Sequence, residues 1–265
     1  VLIYKFISYT AENGVFESPQ LDWDRPSLKK FTVSGMTDLI EAYVNHTKES
    51  RKIFDAYRKL SLETRNRNQF FIAPNHVKVS RESDRGAKEG EYFETVRRFY
   101  DDARRRKVVS RVLSEVVNNF WAHANEDSGT VLVSQGDSTS LEVVIADNGE
   151  GIVHTLRRTN SNMHMMNDSE ILKNATERGV TSKPNTDHMG WGLWLIKRLV
   201  EINGGQMWLI SGKGRYHVSR KKEVCKNAAN WQGTIVSVQL RLENPVSLSG
   251  IPDLSEDTEL RVRWV

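Results

Sequence analysis

The segment TVLVSQGDSTSLEVVIADNG (130–149) holds two apolar runs, 130–136 and 140–149, around the turn tetrad GDST. Short runs rich in Val, Ile, Leu and Thr, bounded by Gly, Asp and Ser, read as an antiparallel hairpin. A hairpin must bury one face against a second layer, and the chain supplies one. Upstream, YFETVRRFYDDARRRKVVSRVLSEVVNNFWAHA (92–124) reads as helix, interrupted near the arginine cluster. Downstream, GLWLIKRLVEINGG (192–205) reads as a helix stopped by its glycine pair. QMWLISG (206–212) and GTIVSVQLRL (233–242) are two further strands. The order helix, two strands, loop, helix, two strands predicts an α+β fold. It is a two-layer sandwich whose mixed, largely antiparallel sheet is covered on one face by helices.

Within EVVNNFWAHA (115–124), positions four apart drift by only about 40° around a helix axis, so Glu115, Asn119 and His123 share one stripe. Leu113, Val117, Phe120 and Ala124 repeat on another face, which suits a core. Asn is a poor helix former, so an asparagine pair in an apolar run asks for compensation.

Outside 91–244 the texture differs. Residues 1–90 form an N-terminal region of irregular pattern, with amphipathic helices over 37–66 and a linker, SRESDRGAKEGE, over 80–91. Residues 245–265 form a tail whose ELRVRWV end could pair as an edge strand. The opening VLIYKFISY is too short for a secretory signal and runs into TAENG, and it begins with Val1, as a missing or processed start would. No apolar run approaches the ~20 residues that span a bilayer. A single cysteine, Cys225, excludes an internal disulfide and a multi-cysteine zinc site, so a cytoplasmic setting is expected. The net charge of +4 is concentrated in 96–111 and 219–226. Such clusters would suit nucleic acid or another anionic partner, but a solvated face is their commoner meaning.

Three motifs follow in order: Glu115-x-x-x-Asn119, Asp147-x-Gly149-x-Gly151, and Gly190-x-Gly192-Leu193 opening a helix. Each is weak alone; together, with matching elements around them, they resemble the GHKL ATPase superfamily, which groups DNA gyrase B, heat-shock chaperones, sensor histidine kinases and MutL. EVVNNFWAHA is similar to its N box, DNGEGI (147–152) to its first glycine box, and HMGWGLWLIKRLVEINGG (188–205) to its second. ERGVTSK (177–183) is similar to the segment ahead of the second box in bacterial sensor kinases, whose ATP-binding domain is the nearest in motif style.

The resemblance implies bound ATP and Mg²⁺. Asn119 would offer an amide oxygen to the metal, which prefers oxygen ligands. Glu115 would orient or deprotonate the attacking water. Asp147 would accept from the adenine amine, where guanine presents a carbonyl. Gly149, Gly151 and Ile152 would let the backbone approach the base. Gly190, Gly192 and Leu193 would turn free N–H groups and a helix dipole toward the phosphates. Lys183, with Arg178 behind it, would reach the terminal phosphate from a lid over 152–189; Thr234 would lie near adenine and His123 over the nucleotide. The polar lid would order on nucleotide binding, with Met163, Met165 and Met166 packing it when closed. His154, His164 and His188 lack carboxylate or cysteine partners at metal-site spacing.

The chain also departs from sensor kinases. His46 and His76, the latter in a proline turn, lack the phosphoacceptor context, and Ala122 stands where many kinases carry lysine. The expected function is therefore a Mg-dependent, ATP-driven switch or slow ATPase in signal transduction. A serine or histidine protein kinase stands second, and a DNA-transacting ATPase third. A protein partner would engage the N-terminal region or the basic loop 212–232. The pattern is compatible with a homodimer.

Overall fold

The computed structural model describes residues 69–77 and 90–243, leaving out 91–92, 95, 98, 124–129, 148, 184–189 and 221. The readings made above for 37–66, for 245–265, and for His46 and His188 lie outside the described residues.

Among the described residues five strands form one sheet in the order β1-β2-β3-β5-β4, and every pairing there is antiparallel. They are β1 (Gln69–Val77), β2 (Thr130–Asp137), β3 (Ser140–Ala146), β4 (Gln206–Ser219) and β5 (Lys222–Arg241). With them stand α1 (Ala103–His123), α2 (Ile152–Thr159), α3 (Asp168–Asn174) and α4 (Gly192–Asn203), and ahead of α1 the described residues 90, 93, 94, 96, 97 and 99 are helical. The α+β sandwich predicted from the pattern is what the structure contains, and the sheet, expected to be mixed and largely antiparallel, is antiparallel throughout the described residues. The β2–β3 hairpin turns where expected. Asp137 Oδ1 accepts from the backbone N–H groups of Thr139 and Ser140, both at 2.7 Å, an Asx-type closure.

The interruption ahead of α1 falls at 100–102. Asp102 Oδ1 accepts from the Arg104 and Arg105 N–H groups at 2.7 and 3.3 Å and so caps the helix. Locally, KVVSRVLSEVV is poor helix material, because each valine costs about 0.5 kcal/mol against alanine. Val109, Val112, Leu113, Val116 and Val117 are at most 1% exposed, however. Burying a side chain of this size contributes about 1.5–3 kcal/mol, so packing overrides propensity. Opposite them lie Leu141, Val143 and Ile145 of β3, Val236, Val238 and Leu240 of β5, and Leu195, Ile196, Leu199 and Val200 of α4. α4 ends as read: Gly204 takes φ 77° and its N–H returns to the Val200 carbonyl.

Three features differ from the sequence reading. β1 comes from the stretch that looks irregular and joins the sheet beside β2. His76, read as sitting in a proline turn, is a strand residue opposite Val131. Ala73 and Pro74 occupy a register shift between Ile72 and Asn75, where an extra residue is accommodated and the missing proline N–H disrupts no regular ladder.

Second, 152–175, the first part of the expected polar lid, holds regular helices. α2, a 3-10 turn at Ser161–Met163 and α3 fill it, and Ile171 and Leu172 are fully buried. α3 carries a capping box, with Asn167 accepting from the Glu170 N–H and Glu170 accepting from the Asn167 N–H. Met163 is buried, Met166 packs against the core and Met165 is 96% exposed.

Third, the basic loop expected at 212–232 is a β-ribbon. β4 continues to a turn at Arg220 and pairs with β5 beyond it, with Arg215 opposite Lys226 and Ser219 opposite Lys222. From Ser211 to Gly214, three steps on β4 face seven on β5. The longer outer path curls the ribbon back on itself. Trp208 and His217, nine residues apart on one strand, consequently stack with ring centroids 3.7 Å apart. A straight strand would hold them about 30 Å apart. The inner side of the ribbon is fixed by ions. Lys197, 7% exposed, meets Glu177 at 2.9 Å and Glu223 at 3.0 Å, while Lys173 meets Glu223 at 2.7 Å.

Candidate functional site

α1 is the spine of the site, because it contacts both α4, which starts at Gly192, and β3, which runs out into Asp147. Its polar stripe begins one turn earlier than the sequence reading had it. Arg111 Nη2 lies 2.7 Å from Glu115 Oε1, with both side chains largely buried. The other carboxylate oxygen faces the start of α4: a Cβ built on Gly192 would lie 2.6 Å from Glu115 Oε2 and 3.1 Å from Asn119 Nδ2. Only a residue without a side chain lets the α4 N-terminus approach the acid and amide this closely. The Asn119 Nδ2 atom is itself buried without a hydrogen-bond partner. The side chain of His123, third on the predicted stripe, lies outside the described residues.

A second cluster closes around Asp147. Its Oδ1 accepts from the Gly149 N–H at 2.8 Å and the Thr234 N–H at 3.3 Å, and its own N–H donates to the Thr234 carbonyl at 2.9 Å. Thr234 Oγ1 in turn accepts from the Ile152 N–H at 3.0 Å, satisfying one of the free donors at the start of α2. Gly151, at φ 81°, packs against Ser211 and the Gln232 and Gly233 carbonyls. Ser211 Oγ is buried with no hydrogen-bond partner. Trp231 Nε1 donates to the Asp147 carbonyl at 3.0 Å. A Cβ on Gly233 would collide with that carbonyl and with Asp147 Oδ1.

Gly190, at φ 67°, folds back on 179–180, and its carbonyl accepts from the Gly179 N–H at 3.2 Å. Leu193 is half-buried on α4. The Arg178 guanidinium lies over the ring of Trp191, which stands between Gly190 and Gly192, at 4.6 Å, and over the Trp194 ring at 5.5 Å. Lys183 is exposed, and its backbone N–H donates to Thr181 Oγ1. His154 and His164 are exposed.

The structure thus joins Glu115, Asn119 and Gly192 in one cluster, and Asp147, Gly149, Gly151, Ile152 and Thr234 in another. Four participants were missed from sequence. Arg111 carried a readable signal, an Arg–Glu pair four apart on a helix. Gly233 preceded a residue already singled out. Ser211 and Trp231 carried none, because they reach the site only through a strand pairing that spans the ribbon.

The donor set can be tested against a nucleotide with its metal. The unpaired Asn119 Nδ2 donor and the glycine-walled gap at a helix N-terminus suit phosphate oxygens, the amide oxygen of the same Asn119 suits an oxygen-loving cation, and the oriented Asp147 carboxylate suits an amine-bearing base. The residues present fit.

A family model described as histidine kinase-, DNA gyrase B-, and HSP90-like ATPase matches residues 104–244, more than half of the 265-residue chain. No curated protein matches the chain. Among the described residues no helix is long and apolar enough to cross a membrane.

Proposed function

The chain belongs to the histidine kinase-, DNA gyrase B- and HSP90-like ATPases, the GHKL superfamily, and from that premise we propose that it is a Mg-dependent, nucleotide-driven switch that hydrolyses ATP slowly. The observation that carries this reading is the gap at Gly192, which sets the N-terminus of α4 against Glu115 and Asn119.

Asn119 would hold Mg²⁺ through its amide oxygen, and the metal, when bound, supplies charge neutralisation to the phosphates. The N–H groups at the start of α4 would bind the phosphate oxygens, assisted by the positive end of the helix dipole. Asp147, oriented by the Gly149 and Thr234 N–H groups, would accept from the adenine amine. Glu115 would orient the attacking water and take its proton. Arg111 pairs with Glu115 and so orients the carboxylate. Lys183 would close on the terminal phosphate from the segment that follows Thr176. Closure over one nucleotide state and not another would supply the difference in contacts that a switch requires.

The test is calorimetric binding of Mg-ATP and release of labelled phosphate, for the wild type, Asn119→Ala and Glu115→Ala. Loss of Asn119 should abolish metal-dependent binding. Loss of Glu115 should spare binding and suppress hydrolysis. Label retained on protein would instead favour a kinase, and acid-labile label a histidine kinase. Flat calorimetry for the wild type would end the proposal.

A further inference from the structure

We propose that the outward face of the β4–β5 ribbon is a docking surface for the phosphate backbone of a nucleic acid. The cationic charge on this face is left uncompensated. Arg220, Lys222 and Lys226 are exposed and Arg215 is half-buried. Among the described residues none of the four forms an ion pair. The one acid of the ribbon, Glu223, turns inward to Lys173 and Lys197. Arg215 and Lys226 stand directly opposite each other across the ladder, and Lys222 lies on the same face. Like charges placed so are destabilising unless an anion lies over them.

Ring contacts orient the half-buried Arg215. Arg215 is spread over the Trp208 ring at 5.4 Å, and Trp208 is braced by the stacked His217. The His217 ring is held below its ordinary pKa, first by burial and then by the positive charge of Arg215 and Lys222.

The choice of partner follows from what the ribbon lacks. Protein interfaces rest on buried aromatic or aliphatic anchors. The exposed large hydrophobic residues among the described residues are Met165 and Ile202, neither of them on the ribbon. Cations interleaved with Asn227, Asn230 and small residues suit a partner bound through its charged backbone.

Fluorescence anisotropy of the full chain with a labelled duplex and a labelled single strand, across a salt series, tests the assignment. Four neutralised phosphates give a slope of about −3.6 in log K against log salt for duplex and about −2.8 for a single strand. A fourfold rise in salt then weakens duplex binding about 150-fold. Arg215→Gln/Arg220→Gln/Lys222→Gln/Lys226→Gln should flatten the slope toward zero while Mg-ATP binding persists. If that variant does not fold, the triple variant retaining Arg215 should leave a slope of about −0.9. Binding to either nucleic acid with these slopes supports the proposal, and the two arms say which form is preferred. Three results overturn it: no binding at low salt, a slope unchanged in the folded variants, or labelled polyglutamate bound as tightly as the nucleic acids.

Discussion

Arg111 and Glu115 lie one helical turn apart on α1, and their side chains meet at 2.7 Å in a largely buried position. The pair fixes one carboxylate oxygen and leaves the other facing the first residue of α4. If Glu115 orients a water, Arg111 is a positioning residue that acts through it.

Arg111→Gln should lower kcat for ATP hydrolysis by roughly tenfold, about 1.4 kcal/mol in barrier, with KM nearly unchanged. Arg111→Lys should recover part of the loss. Steady-state phosphate release over a range of ATP concentrations separates the two constants. A rise in KM alone would mean that Arg111 contributes to binding instead.

Gly192→Ala should abolish Mg-ATP binding while the domain stays folded. The new methyl would lie 2.6 Å from Glu115 Oε2 and displace the acid and amide from the helix N-terminus. Circular dichroism together with calorimetry checks both halves of this expectation.

Lys197→Met should destabilise the domain by about 2 kcal/mol, less than the 3–5 kcal/mol of a fully buried pair. Glu177 is half in water and Lys173 still pairs with Glu223. Burial alone would lower the Lys197 pKa, but hydrogen bonds to Glu177 and Glu223 raise it above the usual lysine value. Its contribution is therefore complete at neutral pH and would be lost only as pH climbs through that raised value. Urea unfolding of the two proteins at neutral pH measures the difference.

Acid should unfold the domain through Asp168 and Glu223. Burial pushes both carboxyls up, yet the Arg157 hydrogen bond and the Lys213 N–H for Asp168, and Lys173 and Lys197 for Glu223, bring both below their usual values of 3.8 and 4.5. Because the folded values are depressed, this stability is present above the usual values and drains away as pH falls through the lowered ones. Urea midpoints should fall steeply below pH ~4, and Asp168→Asn should lessen that slope.

The legible part of the molecule was whatever could be read from local period and spacing. The β2–β3 hairpin, the stripe of α1 and the glycine stop of α4 each sit within one element, and each was found. α2 and α3 were missed because a helix of seven or eight residues shows barely two turns of apolar repeat. The ribbon was missed because Lys222–Gln232 has few large apolar residues, and strand pairing does not require them. In the site, Glu115, Asn119 and Gly192 were legible as motif residues. Trp231 was not, since 84 positions separate it from the Asp147 carbonyl it bonds.

The strand order carries a practical consequence for anyone trimming this protein. β1 closes one flank of the sheet, yet Gln69–Val77 lies ahead of the family match, which starts at residue 104. A recombinant fragment cut to that match would leave the peptide groups of β2 unpaired along its length. Such a bare flank is a template for another copy to add on, so poor yield or fibrous precipitate from the short fragment would reflect the cut and not the domain.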